Sequence, residues 1–429
     1  MFFHSVYFYY TTSKGVFFIL KQDIINEIQK NNISYIKLIF TDLLGNLKGI
    51  NYPLNKLNYI LDNYISIDGS NILGFNNVYN SSLYLKVDIN SLYILKLYEE
   101  NIAVLFCDIY TDKNNVHNLC VRTLLKNKIK EINPIEFKVG LEIEFYILDN
   151  TQNKLDDKKY LDILNNKKST IILNKLVYLL EKNNINIECF HHEAGLSQYE
   201  ISLKYDNVLQ TCDKFQIFKL LVNELEYKEN IKITLIPKLD KSTPGSGLHY
   251  NCSLFKNGLN LFESHNKVNN FTLNFINGIL LHSKEVSLIF NSTINSYKRL
   301  NKNEEVPTKI NWSYKSRKSM IRVPITNNLI NRIELRNIDS LTNIYFTSFI
   351  ILELGISGIN KKLNIDLNNL KIKNNLPTSL FEAYQFYKTS KYLQSILNKE
   401  LYNKYMYLKL QEIYEFNKII TNFEIDKYL

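Results

Sequence analysis

The stretch Lys138-Val-Gly-Leu-Glu-Ile-Glu-Phe-Tyr-Ile147 decides the fold. Val139, Leu141, Ile143 and Phe145 alternate with Gly140, Glu142 and Glu144, the two-residue period of a half-buried strand. In such a strand Glu142 and Glu144 project from one face, roughly 7 Å apart along the strand. Carboxylates held that way repel each other unless a proton or a cation lies between them. A solvated sheet face is the commoner setting for a Glu-x-Glu strand, so its meaning here depends on the rest of the chain.

Three further segments share the design. His191-His-Glu-Ala-Gly-Leu-Ser-Gln-Tyr-Glu200 carries Glu193 and Glu200 across a short loop. Gly245-Ser-Gly-Leu-His249 places a histidine after a glycine-flanked turn, where backbone can approach a ligand closely. Arg332-Ile-Glu-Leu-Arg336 alternates so that Arg332, Glu334 and Arg336 share a face and Ile333 and Leu335 point to a core. A sheet that repeatedly turns carboxylates, a histidine and arginines to one side lines a polar cavity. Oxygen-rich ligands with one imidazole suit Mg²⁺ or Mn²⁺ better than zinc. Arginines beside divalent cations suit phosphoryl transfer, where charge on the migrating group must be neutralised. The chain has no G-x-x-x-x-G-K-[ST] loop and no kinase motif set, which excludes those nucleotide folds.

Outward from these strands, the 429 residues suffice for two or three domains. The 45% hydrophobic content is that of a globular protein, and abundant Asn, Lys, Ile and Tyr read as a compositional bias without functional meaning. The net charge of +10 is spread along the chain, with no zinc-finger or RNA-binding signature, so no nucleic-acid partner is expected. Cys107, Cys120, Cys189, Cys212 and Cys252 form no C-x-x-C pair and read as reduced thiols of a cytoplasmic protein. No run reaches the about 18 apolar residues of a membrane span. Residues 1–20 lack the basic start and continuous apolar region of a signal peptide and read as a loosely ordered extension.

Asp23 is expected to cap a helix to about Lys30, with Ile24, Ile25 and Ile28 on its apolar side. Strands follow at Tyr35–Phe40, Asn46–Ile50, Leu83–Val87, Leu92–Leu97 and Ile102–Ile109, a small β domain with a polar linker near Tyr110–Asn118. Helices are expected at Leu124–Ile132, Lys168–Asn183, Cys212–Tyr227, Val268–Phe290 and Thr342–Asn360, with an all-helical tail from Leu380. The class is α+β.

Taken together the motifs closely resemble type I glutamine synthetase, from about Asp23 to Leu429. The matching runs are Phe40-Thr-Asp-Leu-Leu-Gly45, Asp68-Gly-Ser70, Gly140-Leu-Glu-Ile-Glu-Phe145, His191-His-Glu193, Gln198-Tyr-Glu200, Pro237-Lys238, Gly245-Ser-Gly-Leu-His249, Asn295-Ser-Tyr-Lys-Arg299 and Arg332-Ile-Glu-Leu-Arg336. The resemblance implies a β-grasp-like domain over 21–112 and a catalytic domain over 113–429 with a curved antiparallel sheet flanked by helices. It implies ATP-dependent joining of ammonium to L-glutamate with two or more Mg²⁺ or Mn²⁺ ions. By resemblance Glu144, Glu193 and Glu200 match ligands of the metal beside glutamate and ammonium. Glu142, His249 and Glu334 match ligands of the metal on the ATP phosphates. Arg299 and Arg336, with Gly245 and His249, match the glutamate site. Arg317, Arg322 and Arg332 match arginines on the nucleotide phosphates and the transferring group, and Glu188 and Ser253 match nucleotide contacts. Glu305, next to Glu304, matches a flap carboxylate. Asp68, from a neighbouring subunit, matches the base that deprotonates ammonium in a pocket completed by Tyr160 and Glu193. The implied assembly is a dodecamer of two hexameric rings.

Several positions depart from the family pattern: Pro244, Ser197, Asn71, Asn251 and Asn343-Ile-Tyr345. The short segment Asn368–Asn375 argues against control by adenylylation, and Asn77, where one branch has Arg, against glutamine feedback. Two alternatives accompany the leading reading: a γ-glutamyl-amine ligase on the same fold, and a catalytically dead regulatory or nucleic-acid-binding homologue.

Overall fold

The computed structural model describes residues 10–12, 15–17, 20–75, 81–163, 168–300, 305–364 and 375–429. Asn77, Glu304 and 368–374, on which expectations above rest, lie outside them, as does most of 1–20. The chain divides into two compact units, one made of Met1–Asp42, Asn46–Cys120 and Lys182–Asn184, the other of Leu43–Gly45, Val121–Glu181 and Ile185–Leu429.

The smaller unit is built on a five-stranded sheet in the order Leu47–Tyr52, Ile33–Thr41, Asn101–Tyr110, Ser82–Lys96, Ile65–Asp68. Its pairs are antiparallel except Ile33–Thr41 with Asn101–Tyr110. The two strands expected at Leu83–Val87 and Leu92–Leu97 are one strand, Ser82–Lys96, interrupted by a register shift between Val87 and Leu92. There Ser91 replaces ladder bonds: its hydroxyl accepts from Phe106 N at 2.9 Å and donates to Asp88 O at 2.6 Å. The polar Asp-Ile-Asn-Ser run thus marks a bulge. The first helix runs Lys21–Lys30, so Asp23 is not its cap residue but sits inside the first turn and accepts Leu20 N at 2.7 Å. Ile24 and Ile28 are buried, and Ile25 only partly.

The larger unit is organised by the strand Ile135–Asp149, central in a sheet ordered Lys309–Ser313, Ser319–Arg322, Ile333–Leu335, Leu248–Lys256, Ile135–Asp149, Gln198–Leu203, Ile187–His192. Phe137, Val139, Leu141, Ile143 and Phe145 are buried on one face. Helices cover that face: Phe137 meets Phe275 of helix Asn270–Leu281 at 6.3 Å between ring centres, and Phe145 meets Phe218 of helix Val208–Glu229 at 6.2 Å. The opposite face carries the charges. The sheet is mixed, because Lys309–Ser313 and Ser319–Arg322 pair in parallel where an antiparallel arrangement was expected.

The helix expected over Val268–Phe290 is two, Asn270–Leu281 and Ser283–Phe290, broken at His282. His282 leaves the helical conformation to pair with Glu285 at 3.0 Å and to stack on Tyr392. The tail from Leu380 is likewise helical in four pieces, each of the later breaks carrying a Ser, Asn or Thr cap.

Helix Asn270–Leu281 crosses the buried helix Ile344–Asn360 at two facing glycines. A Cβ on Gly278 would lie 2.1 Å from Leu354 O, and one on Gly358 2.2 Å from Asn274 O. Both obstacles are backbone, so the helices would have to separate. Gly278→Ala and Gly358→Ala should each destabilise the fold by about 1–3 kcal/mol, seen as a lower thermal midpoint than wild type.

Candidate active site

Cross-strand register assembles the site. His249 stands directly opposite Glu142, and Glu200 opposite Glu144. Asn251 faces Glu334, which in turn faces Arg322. Side chains opposite one another on a pleated face are close neighbours, so strands distant in sequence deliver their charges to one place. His249 Nδ1 lies 3.0 Å from Glu142, 3.8 Å from Glu200 and 4.0 Å from Glu334, while Nε2 lies 3.4 Å from Glu144. Both ring nitrogens face carboxylate oxygens. That favours the imidazolium, and the His249 pKa is raised even though burial and Arg336 oppose it. His191 forms a second focus, 3.4 Å from Glu200 and 3.7 Å from Glu193.

The carboxylates are not equivalent. Burial alone would push Glu142 up, but bonds from His249 and Asn251 and the charges of His249 and Arg336 hold it at about 2. Burial, reinforced by the negative charges of Glu144 and Glu200, pushes Glu193 up to about 7. Two groups of donors have ligand atoms close enough to share an ion: Glu142, Glu200 and His249, and His191, Glu193 and Glu200. Carboxylate-rich sets with one imidazole fit a hard divalent cation. The like-charge crowding on Glu193 is the electrostatic signature such an ion relieves. Glu200 belongs to both groups, and neither group is one of the triplets the resemblance implies: His191 stands where Glu144 was expected, and Glu200 where Glu334 was.

Two cavities open on this face and share Glu142 and Ser202. The smaller, about 250 Å³, is lined by Glu188, Ser253 and Arg332 together with Asn251. The larger, about 540 Å³, holds Glu144, Glu193, Glu200, His249, Glu334, Tyr160, Gly245, Arg299, Glu305, Arg317, Arg322 and Arg336. Arg317 and Arg322 therefore keep company with the expected glutamate-side residues, whereas Arg332 lies with Glu188 and Ser253. Asp68 is the one expected site residue outside the larger unit: it ends strand Ile65–Asp68 of the smaller, exposed, accepting Ser70 N at 2.9 Å.

Arg299 is almost wholly buried and donates to the carbonyls of Arg336, Asn337 and Ile338 at 2.9, 3.3 and 3.1 Å. The glycine turn above it makes room, since a Cβ on Gly247 would fall 2.3 Å from Arg299 Nη2. Gly247 N also donates to Glu144 at 2.6 Å. Arg336 pairs with Glu334 and donates from Nε to Arg317 O at 2.9 Å; Arg322 reaches Glu334 at 3.0 Å.

Sequence reading missed Asn251 and Ser202 as site residues, naming Asn251 only as a departure. Asn251 donates to Glu142 at 2.9 Å and accepts from Arg332 at 3.1 Å, a relay that needs an amide's paired donor and acceptor. The signal was the same period of two: Asn251 follows His249, and Ser202 follows Glu200, by two residues on one strand face. Pro244 takes part through its carbonyl, which accepts the Tyr146 hydroxyl at 2.8 Å.

A cation entering beside Glu193 must displace the proton held there near neutral pH. Calorimetric titration of metal-free protein with Mn²⁺ at pH 7, in buffers of different ionisation enthalpy, should show proton release. Glu193→Gln should reduce that release and weaken binding.

The family comparison matches "Glutamine synthetase, beta-Grasp domain" over residues 32–112 and "Glutamine synthetase, catalytic domain" over 118–428. A glutamine synthetase of Staphylococcus aureus is 31% identical over 436 residues, covering 95% of this chain and 98% of the relative. One from Methanocaldococcus jannaschii is 31% identical over 440 residues, covering 94% and 97%. Among solved structures, a Plasmodium falciparum glutamine synthetase superposes with TM-score 0.85 at 24% identity over 96% of this chain and 99% of that one. Ligand-free GmaS superposes with TM-score 0.84 at 22% identity over 95% and 99%, and at such identities the likeness is one of fold. The family comprises ligases that use ATP and divalent metals, and this chain belongs to the glutamine synthetase family.

Proposed function

We propose that this protein joins ammonium to the γ-carboxylate of L-glutamate through γ-glutamyl phosphate, forming L-glutamine, ADP and phosphate. The observation that carries the reading is the pair of cavities meeting at Glu142 and Ser202. In this reading the smaller takes the phosphate end of the nucleotide and the larger takes glutamate, so phosphoryl transfer takes place at their seam.

In this reading Glu188, Ser253 and Arg332 hold ATP in the smaller cavity. Arg299 and Arg336, with the Gly245 turn, hold glutamate in the larger one, and Arg317 and Arg322 carry positive charge toward the migrating phosphoryl group. Divalent ions held by Glu142, Glu144, Glu193, Glu200, His249 and Glu334 would supply charge neutralisation at the phosphates. Fixed positive groups in a partly enclosed site lower the barrier because charge builds up where they already point. The γ-carboxylate oxygen then attacks the terminal phosphorus as the bond to ADP breaks. Tyr160 and Glu193 border the place where ammonium would lie. Asp68, supplied by the smaller unit of a neighbouring subunit, takes one proton, and the resulting ammonia attacks the acyl carbon and expels phosphate. Glu305 lines the cavity where the acyl phosphate must be kept from water. Such sharing makes the active form an oligomer, proposed as a dodecamer of two hexameric rings in the cytoplasm.

A second reading, a γ-glutamyl-amine ligase, is favoured by the size of the larger cavity and by the likeness of fold to GmaS. The test is a coupled ADP-release assay with glutamate and ATP, offering ammonium, methylamine or putrescine in turn, with product identified by NMR. Turnover with ammonium supports the first reading, and turnover only with an amine replaces it. Arg317→Ala should lower kcat by about 10²–10³-fold, the cost of removing one preorganised donor to developing charge. Glu142→Gln should chiefly raise KM for ATP and Glu144→Gln chiefly KM for glutamate and ammonium. Light scattering alongside the assay should find activity only in the oligomer.

A further inference from the structure

Asp156 lies outside every motif of the resemblance, yet both its carboxylate oxygens are tied to the hairpin that carries Glu193, a residue lining the larger cavity. Its side chain is 1% exposed and its partner His192 0%. One oxygen accepts Ser197 N at 2.8 Å and His192 Nε2 at 3.1 Å; the other accepts the Tyr199 hydroxyl at 2.5 Å. All these donors belong to the hairpin that joins strands Ile187–His192 and Gln198–Leu203 and carries Glu193.

The connection is reciprocal. Ser197 Oγ accepts Leu155 N at 2.6 Å and Asp156 N at 3.0 Å. Ser197 holds a left-handed backbone, φ +62°, which a residue with a Cβ adopts at a cost. The hydroxyl bonds offset that cost, so serine here does something a glycine could not. His192 Nδ1 faces the Glu193 carbonyl at 2.6 Å while Nε2 faces Asp156, so both ring nitrogens meet acceptors and the ring fixes the Glu193 backbone relative to Asp156. Further along the same loop, Leu161 N donates to His192 O at 3.1 Å. Between these two ties stands Tyr160, its ring 5.7 Å from that of His191.

We propose that Asp156 is a positioning residue. By clamping the loop 155–162 to the Glu193 hairpin, it sets Tyr160 and Glu193 at a fixed separation across the larger cavity. The clamp tunes the ammonium and cation side of the site and leaves the nucleotide cavity untouched, an assignment that rests on the proposed function for its substrate. Outer partners that orient metal-binding carboxylates have effects of this kind.

The experiment compares wild type with Asp156→Asn, Tyr199→Phe and Ser197→Gly, each checked by circular dichroism and native mass. Two readouts are taken: Mn²⁺ binding by calorimetry without substrates, and KM for ammonium against KM for ATP. Asp156→Asn should weaken Mn²⁺ binding and raise KM for ammonium, each by about 10–100-fold, while leaving KM for ATP within about twofold. Tyr199→Phe and Ser197→Gly should shift the same quantities in the same direction by less. Equal rises in both KM values, or Mn²⁺ affinity unchanged in folded Asp156→Asn, would overturn the proposal. Should Asp156→Asn fail to fold, unchanged Mn²⁺ affinity in the other two variants overturns it instead. A wild type that ignores ammonium would refute the functional reading alone, because the Mn²⁺ comparison still decides the role of Asp156.

Discussion

Everything in the larger unit answers to one electrostatic problem: Glu142, Glu144, Glu193, Glu200 and Glu334 are gathered on a sheet face, partly out of water. Charges so placed repel strongly, since the local dielectric no longer screens them. The protein meets this with His249 at the centre, its two nitrogens turned to opposing carboxylates. Arg322 and Arg336 brace Glu334 from the far side. The residual strain collects on Glu193, which keeps its proton to about pH 7. A cluster that stabilises itself only in part is one that gains by binding cations.

Holding such a face together requires an opposite face that will not yield. The central strand supplies it by alternation, with Phe137 and Phe145 packed against aromatic residues of two helices. The loops around the charged face are similarly tied. Gln198 donates to Gly245 O at 3.0 Å and Ser246 Oγ at 3.2 Å, joining the Glu193 hairpin to the glycine turn above Arg299. Asp156 makes the corresponding tie on the other side of the hairpin. The groups lining the larger cavity thus sit on strands or on loops held at more than one point, the arrangement that keeps side chains within small positional tolerances.

Local periodicity revealed most of the architecture. The alternation at 138–147 and 332–336 located the site strands, and the apolar spacing at 168–183 located a helix found at Lys168–Lys182. The misreadings occurred where a side chain outweighs propensity. Ser91 bridges a bulge and joins two expected strands into one, His282 breaks a helix by pairing with Glu285, and Asp23 lies within its helix instead of capping it. Each turns on a specific hydrogen bond that no window average detects.

By itself the sequence determined which charged residues share a face: period-two patterns place Glu142 with Glu144, and Arg332 with Glu334 and Arg336, each on a common face. It determined the α+β class for the same reason, because apolar period is a local property of the chain. Only the tertiary structure decided how the faces meet. Strand register put His249 against Glu142 and Glu200 against Glu144, made Glu200 common to both donor groups, and sorted Arg332 from Arg317 and Arg322 into different cavities. It also recruited Asp156 and Asn251, whose importance lies in partners dozens of residues away. Register and hydrogen-bond partnership depend on chain closure between distant segments, and no neighbouring residue encodes them.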